Sequence, residues 1–191
     1  IARNKSGQIE IFPIVEMMFN EVSNQVEYVL CPAQISSEIN EKAKKIALKV
    51  SESFKQVGLL AVEMFLTHDN KILINEVAPR PHNSAHYSIE SCINSQFDQH
   101  INSILDLPLG SSKSNFYAIM INLVGELGHE GKVVYEGIKE AMLIENTKLH
   151  LYGKSKTKPN RKMGHATVLD SNLENALKKA KKIKELVKVK T

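Results

Sequence analysis

The sequence is poor in cysteine: Cys31 and Cys92 are the only two among 191 residues, and they lack metal-binding or redox spacing. Such usage excludes a disulfide scaffold and fits reduced thiols in a cytoplasmic setting. There is no run of about 18 apolar residues, so no membrane-spanning helix is expected. No stretch has the basic start and apolar core of a secretion signal. A nucleophile triad, a zinc-ligand cluster and a Walker-type glycine loop are likewise missing. The net charge of +4 suits anionic ligands but is too small to argue for nucleic acid. What is left is an ordinary globular composition, with enough chain for one domain or two small ones.

The most informative stretch runs from Leu59 to His82, LLAVEMFLTHDNKILINEVAPRPH. It reads as two strands and a tight turn centred on Asp69 and Asn70, residue types that tolerate positive φ. A two-residue turn there sets Leu66 opposite Leu73, Met64 opposite Asn75, and Glu63 opposite Glu76. Opposed cross-strand residues have Cβ atoms about 4.5–5.5 Å apart, and like charges so placed repel. Ala61, Phe65, Ile72, Ile74 and Ala78 are expected on the same face, limiting the carboxylates' escape into water. A divalent cation such as Mg²⁺, completed by water and substrate phosphates, answers that repulsion. Neutralisation by Arg or Lys, or a shared proton, answers it too. A three-residue loop would shift the register and turn one side chain to the other face.

Beyond the hairpin, Pro79 and Pro81 stiffen a loop that presents Arg80, a planar fork for phosphate or carboxylate, and His82. His82 and His86 are candidate proton carriers or donors. Upstream, Gln8–Glu16 and Gln25–Leu30 are strand-like. A helix capped by Ser36 or Ser37 runs to about Val57, with Gly58 as its terminating glycine. Helical signals return over Ala85–Ile93 and Gln96–Leu107, and Pro108–Gly110 with its following serines marks a boundary. Phe116–Leu123, Lys148–Tyr152 and Gly164–Leu169 are expected strands, and Tyr135–Ile144 and Asn172–Val187 expected helices. The 153–162 loop holds five positive charges and no carboxylate. It is a solvated loop, a nucleic-acid patch or a phosphate cradle, and it lacks the interleaved aromatics that the second would use.

Ile74-Asn75-Glu76-Val77-Ala78-Pro79-Arg80-Pro81-His82-Asn83-Ser84, preceded by Val62-Glu63-Met64-Phe65, resembles the C-terminal part of the ATP-grasp superfamily. More narrowly it resembles 5-(carboxyamino)imidazole ribonucleotide synthase. The likeness extends through Gln96-Phe97-Asp98, Asp106-Leu107-Pro108-Leu109 and Met120-Ile121-Asn122-Leu123 to Gly153-Lys154 and Arg161-Lys162-Met163-Gly164-His165. Ala85 and Asn160 stand where the family usually has glycine. The resemblance implies an α/β (α+β) fold: residues 1–107 as the C-terminal lobe of an ATP-grasp domain with antiparallel sheet and flanking helices, and 108–191 as a small C-terminal α/β domain. It implies an ATP-dependent ligase of purine biosynthesis. Bicarbonate and the γ-phosphoryl group of ATP would give carboxyphosphate, and 5-aminoimidazole ribonucleotide would capture the carboxyl group. Glu63 and Glu76 would hold Mg²⁺ (or Mn²⁺), with Asn75 and Glu76 in the nucleotide site. Arg80, His82 and Asn83 would act where the ribonucleotide meets the reacting phosphate, and Lys154, Arg161 and Lys162 would grip the ribonucleotide's phosphate. Such enzymes are cytoplasmic homodimers with an N-terminal nucleotide-fold domain and glycine-rich ATP-grasp lobe. Neither precedes Ile1, so this stretch alone is expected to be nearly inactive. A formate-dependent transformylase of the same superfamily is the alternative enzyme, and a basic nucleic-acid-binding module the non-catalytic one.

Overall fold

The computed structural model describes Ile1–Thr191 and is a mixed α/β protein whose strand pairs are antiparallel. Its contacts divide it into two compact units. The first comprises Ile1–Ile14 with Pro32–Ser114, and the second Val15–Cys31 with Asn115–Thr191.

In the first unit, the helix Ser37–Phe54 begins where Ser36 accepts a hydrogen bond from the Ile39 N–H, the expected cap. It buries Ile39, Ala43 and Ala47 and ends earlier than the sequence suggests. Lys55, at φ 50°, takes the left-handed closing position. Gly58 lies beyond it in a short strand, at φ 108°, where a Cβ would stand 3.1 Å from the His100 ring. Positive φ thus marks the glycine, but for close approach to His100 and not for a cap. A small core of Ala2, Phe12, Leu59 and Leu109 packs with Cys92. The expected helix over Ala85–Ile93 is reduced to the turn Asn83–Ala85 and one short helix, Ser88–Ser91. Gln96–Ile104 is a full helix, opened by a capping box between Ser95 and Asp98.

The hairpin joins Ala61–Leu66 to Ile72–Ala78. Its turn is longer than the two residues expected. Thr67 N–H bonds the Lys71 carbonyl at 2.9 Å, and Asn70 takes φ 58°. Consequently Leu66 faces Ile72 and Met64 faces Ile74, one step from the two-residue register. A bulge then intervenes between the Met64 and Glu63 pairings, absorbing Asn75, and Glu63 faces Glu76 after all.

In the second unit a five-stranded sheet runs in the order Thr147–Leu151, Lys162–Asp170, Tyr117–Val124, Val26–Cys31, Glu16–Phe19. The helix Leu173–Leu186, capped by Asn172, buries Ala176, Ala180 and Ile183 in the same apolar cluster as Ile119, Ile121, Ala166 and Val168. Spacing at i, i+4 and i+7 puts those helix residues on one stripe, leaving its lysines outside. Tyr135–Ile144, expected as one helix, is a strand Val134–Glu136 and a short helix Ile138–Met142, divided by Gly137 at φ 71°. No helix is long and apolar enough to cross a membrane.

Candidate metal and phosphate sites

The bulge decides the geometry of the first site. Both carboxylates are on one side of the hairpin, and the proline-held loop brings His82 to them. Ligand atoms of Glu63, Glu76 and His82 all lie within 4.8 Å of one another. His82 Nε2 is 3.5 Å from Glu63 Oε1, and Asn75 Nδ2 donates to Glu63 Oε2 at 3.3 Å. No lysine or arginine pairs with either carboxylate. Glu63 is half-buried, whereas Glu76 is exposed. The expected apolar shelter is therefore partial: Phe65 and Ile74 are themselves about half exposed, and water reaches Glu76.

Two carboxylate oxygens brought together without a lysine or arginine suit a hard divalent ion, which keeps part of its shell for water and phosphate oxygens. The third group differs in kind. His82 Nδ1 accepts from the Ser84 N–H at 3.4 Å and lies 2.8 Å from Ser84 Oγ. Its Nε2 faces Glu63 Oε1 at 3.5 Å, the one nitrogen among the three groups brought together. The residues present therefore fit Mg²⁺ or Mn²⁺ held by oxygens.

The loop itself is tied down. Arg80 N–H returns to the Ala78 carbonyl at 2.9 Å, and the exposed Arg80 guanidinium donates to Pro81 O at 3.1 Å. Asn83 opens the short turn Asn83–Ala85 behind His82. Gln96, missed by sequence reasoning, is buried and grips the His82 peptide through both ends of its amide. Beforehand it was visible at the start of a helix and within the Gln96-Phe97-Asp98 likeness, neither of which gave it a role.

Lys154, Arg161 and Lys162 form a separate group in the second unit. Lys154 Nζ donates to the Lys162 carbonyl at 2.6 Å and sits 5.5 Å from the centre of the Tyr152 ring. Arg161 Nη1 donates to the Lys156 carbonyl at 3.0 Å. The basic loop is thus internally braced, which a merely solvated run of charge would not require. Gly125 supports it closely: its N–H bonds Arg161 O, and a Cβ there would meet Lys158 O at 2.2 Å. Tyr152 and His165, joined by a 3.0 Å hydrogen bond, stand behind Lys154, and the His165 ring stacks on His150 at 4.5 Å.

Comparison with known proteins gives these two groups a common context. The ATP-grasp domain model matches residues 1–97, and the model of the phosphoribosylaminoimidazole carboxylase C-terminal domain matches residues 118–179. The N5-carboxyaminoimidazole ribonucleotide synthase of Bacillus subtilis is 41% identical over 169 residues, 88% of this chain and 42% of that protein. Phosphoribosylaminoimidazole carboxylase of Saccharomyces cerevisiae is 37% identical, over 91% of this chain and 30% of its own. The crystal structure of N5-carboxyaminoimidazole ribonucleotide synthetase from Thermotoga maritima superposes with a TM-score of 0.92 at 47% identity, covering 100% of this chain and 51% of that one. An Aspergillus clavatus synthase solved with ADP and 5-aminoimidazole ribonucleotide superposes at 0.84 with 34% identity, over 96% and 49%. The chain thus spans about half or less of these relatives' lengths. The hairpin with its paired acids, the proline-bracketed loop and the two consecutive family matches agree: this chain belongs to the ATP-grasp family, in its N5-carboxyaminoimidazole ribonucleotide synthase branch.

Proposed function

We propose that this chain supplies part of the machinery for ATP-dependent carboxylation of 5-aminoimidazole ribonucleotide in purine biosynthesis. In this reading residues 1–107 are the C-terminal lobe of the ATP-grasp domain and 108–191 the small C-terminal domain, in keeping with the two family matches. The observation that carries it is the Glu63–Glu76 pair, opposed across the hairpin and without a lysine or arginine partner.

Glu63 and Glu76 would hold a divalent ion, Mg²⁺ or Mn²⁺, which would supply charge neutralisation for the phosphates of ATP. Asn75 orients Glu63 and lines the nucleotide site. A bicarbonate oxygen attacks the γ-phosphorus and ADP leaves, giving carboxyphosphate. The amine of 5-aminoimidazole ribonucleotide then attacks the carboxyl carbon, inorganic phosphate departs, and the nitrogen loses a proton. Arg80, His82 and Asn83 are placed to orient and donate hydrogen bonds to the anionic groups between these steps. Phosphoryl transfer asks for this positioning and charge stabilisation more than for a nucleophile. Lys154, Arg161 and Lys162 grip the ribonucleotide's 5′-phosphate, Arg by its fork and Lys as a point charge. The complete enzyme is a cytoplasmic homodimer in the same reading.

Ligand-induced stabilisation tests the substrate. At a hundredfold excess over its Kd, a ligand specific for the folded state adds about 2.7 kcal/mol. 5-Aminoimidazole ribonucleotide is expected to raise the melting temperature, and glycinamide ribonucleotide to leave it unchanged. The reverse pattern would assign the chain to a formate-dependent transformylase instead.

A further inference from the structure

We propose that Tyr152 is a positioning residue for phosphate binding: its ring, fixed from behind by His165, holds the Lys154 ammonium in place before an anion arrives. The inference rests on reading Lys154, Arg161 and Lys162 as the group that takes the ribonucleotide's phosphate.

The backbone sets the arrangement. The strand Thr147–Leu151 runs antiparallel to Lys162–Asp170, with His150 opposite His165 and Leu151 opposite Gly164. The Tyr152 N–H adds one more bond, to Met163 O at 2.9 Å, so Tyr152 is anchored to the sheet just where the basic loop leaves it. Gly153 then turns at φ 67°, and Lys154 comes back over the Tyr152 ring. The ammonium lies 5.5 Å from the ring centre, inside the roughly 6 Å reach of a cation–π contact. It also donates to the Lys162 carbonyl at 2.6 Å. An ammonium has three N–H donors, so the Lys162 bond leaves others for the ring face and an arriving anion.

A lysine stem is flexible, and ordering it at the moment of binding costs rotamer freedom. A ring held in one place supplies that order in advance. Tyr152 is itself held at its far end. Its hydroxyl is hydrogen-bonded to His165 Nδ1 at 3.0 Å, and His165 is 2% exposed. The His165 ring stacks on His150 at 4.5 Å with 14° between the planes. Tyr152 is only half-buried, so water would suffice for its hydroxyl; the bond to a buried imidazole instead fixes the direction in which the ring face looks. Support thus runs from the sheet interior through His165 and Tyr152 to the cation.

Titration of the 191-residue chain with ribose 5-phosphate, followed by ¹H–¹³C spectra of the lysine ε-methylenes, tests this. In the unliganded chain the Lys154 ε-protons are expected upfield of those of other lysines, shifted by the Tyr152 ring current. Tyr152→Leu is expected to return them to the ordinary lysine position and to raise the Kd about two- to tenfold, the cost of ordering one side chain on binding. Tyr152→Phe keeps the ring and drops the bond to His165, so a smaller upfield shift and an intermediate Kd are expected. Lys154 ε-protons at the ordinary position in the unaltered chain overturn the proposal, as does a folded Tyr152→Leu chain with the parent's Kd. A Tyr152→Phe chain identical to the parent in both readouts overturns the part given to His165. If Tyr152→Leu does not fold, the unaltered spectrum and Tyr152→Phe still decide. Lys154→Ala separates the two readings. A Kd raised about tenfold or more supports the phosphate grip. A parent-like Kd removes that reading, while the ε-proton shifts continue to decide whether Tyr152 orders Lys154.

Discussion

At the residue scale, the paired glutamates and the loop histidine come together without a lysine or arginine beside either carboxylate. The contrast lies elsewhere in the chain. Asp170 is bonded by Lys179 Nζ at 2.8 Å and by the Asn172 N–H at 2.9 Å, which pins the start of the last helix to the end of its preceding strand. The Lys179 bond, followed by the Asn172 amide, holds the Asp170 carboxyl below its ordinary range. A depressed carboxyl pKa contributes stability above the unfolded value, about 3.9, and that contribution is lost as pH falls through the folded value. Asp170→Asn is therefore expected to lower the melting temperature near neutrality, with the difference from the unaltered chain shrinking below about pH 4. Thermal melts across that range check it. A gap that widens in acid would show that the pairing does not stabilise the fold.

At the element scale, the hairpin shows what could be read from residues and what could not. Asp69-Asn70 correctly marks the turn, since Asn70 takes positive φ. Its length was not legible, because Thr67 closes onto Lys71 through both main chain and hydroxyl. A longer turn alone would have separated the glutamates, and the bulge at Asn75 restores them. Two errors of one residue cancel, and neither the alternation of apolar residues nor the turn dipeptide reveals the second. Ser36 and Asn172 were readable as caps because their chemistry is local. Lys55 was not, because a lysine in the left-handed region is imposed by tertiary structure. The basic loop depends on another local contact. Gly125→Ala would drive a methyl group into Lys158 O and Thr157 Oγ1, and overpacking of that kind costs about 1–3 kcal/mol. Chemical denaturation should report that loss. A variant as stable as the parent would mean the loop yields freely.

At the scale of the whole molecule, the apolar strands Tyr117–Val124 and Lys162–Asp170 were foreseeable, and they form the centre of the second unit's sheet. The recruitment of Val15–Cys31 into that unit was not, since long-range strand pairing leaves no signature in either segment alone. Ile119 and Ile121 are fully buried there against the last helix's cluster. Ile121→Ala is expected to destabilise by about 2–5 kcal/mol, read from denaturant midpoints. A change under about 1 kcal/mol would contradict the packing described.

The central claim is that Glu63 and Glu76 together hold a divalent ion, and Mn²⁺ titration followed by electron paramagnetic resonance tests it most directly. The unaltered chain should bind one tight class of Mn²⁺, and Glu63→Gln or Glu76→Gln should each weaken that class about tenfold or more, the loss of roughly 1.4 kcal/mol. Mn²⁺ binding of equal strength in all three chains would contradict the account.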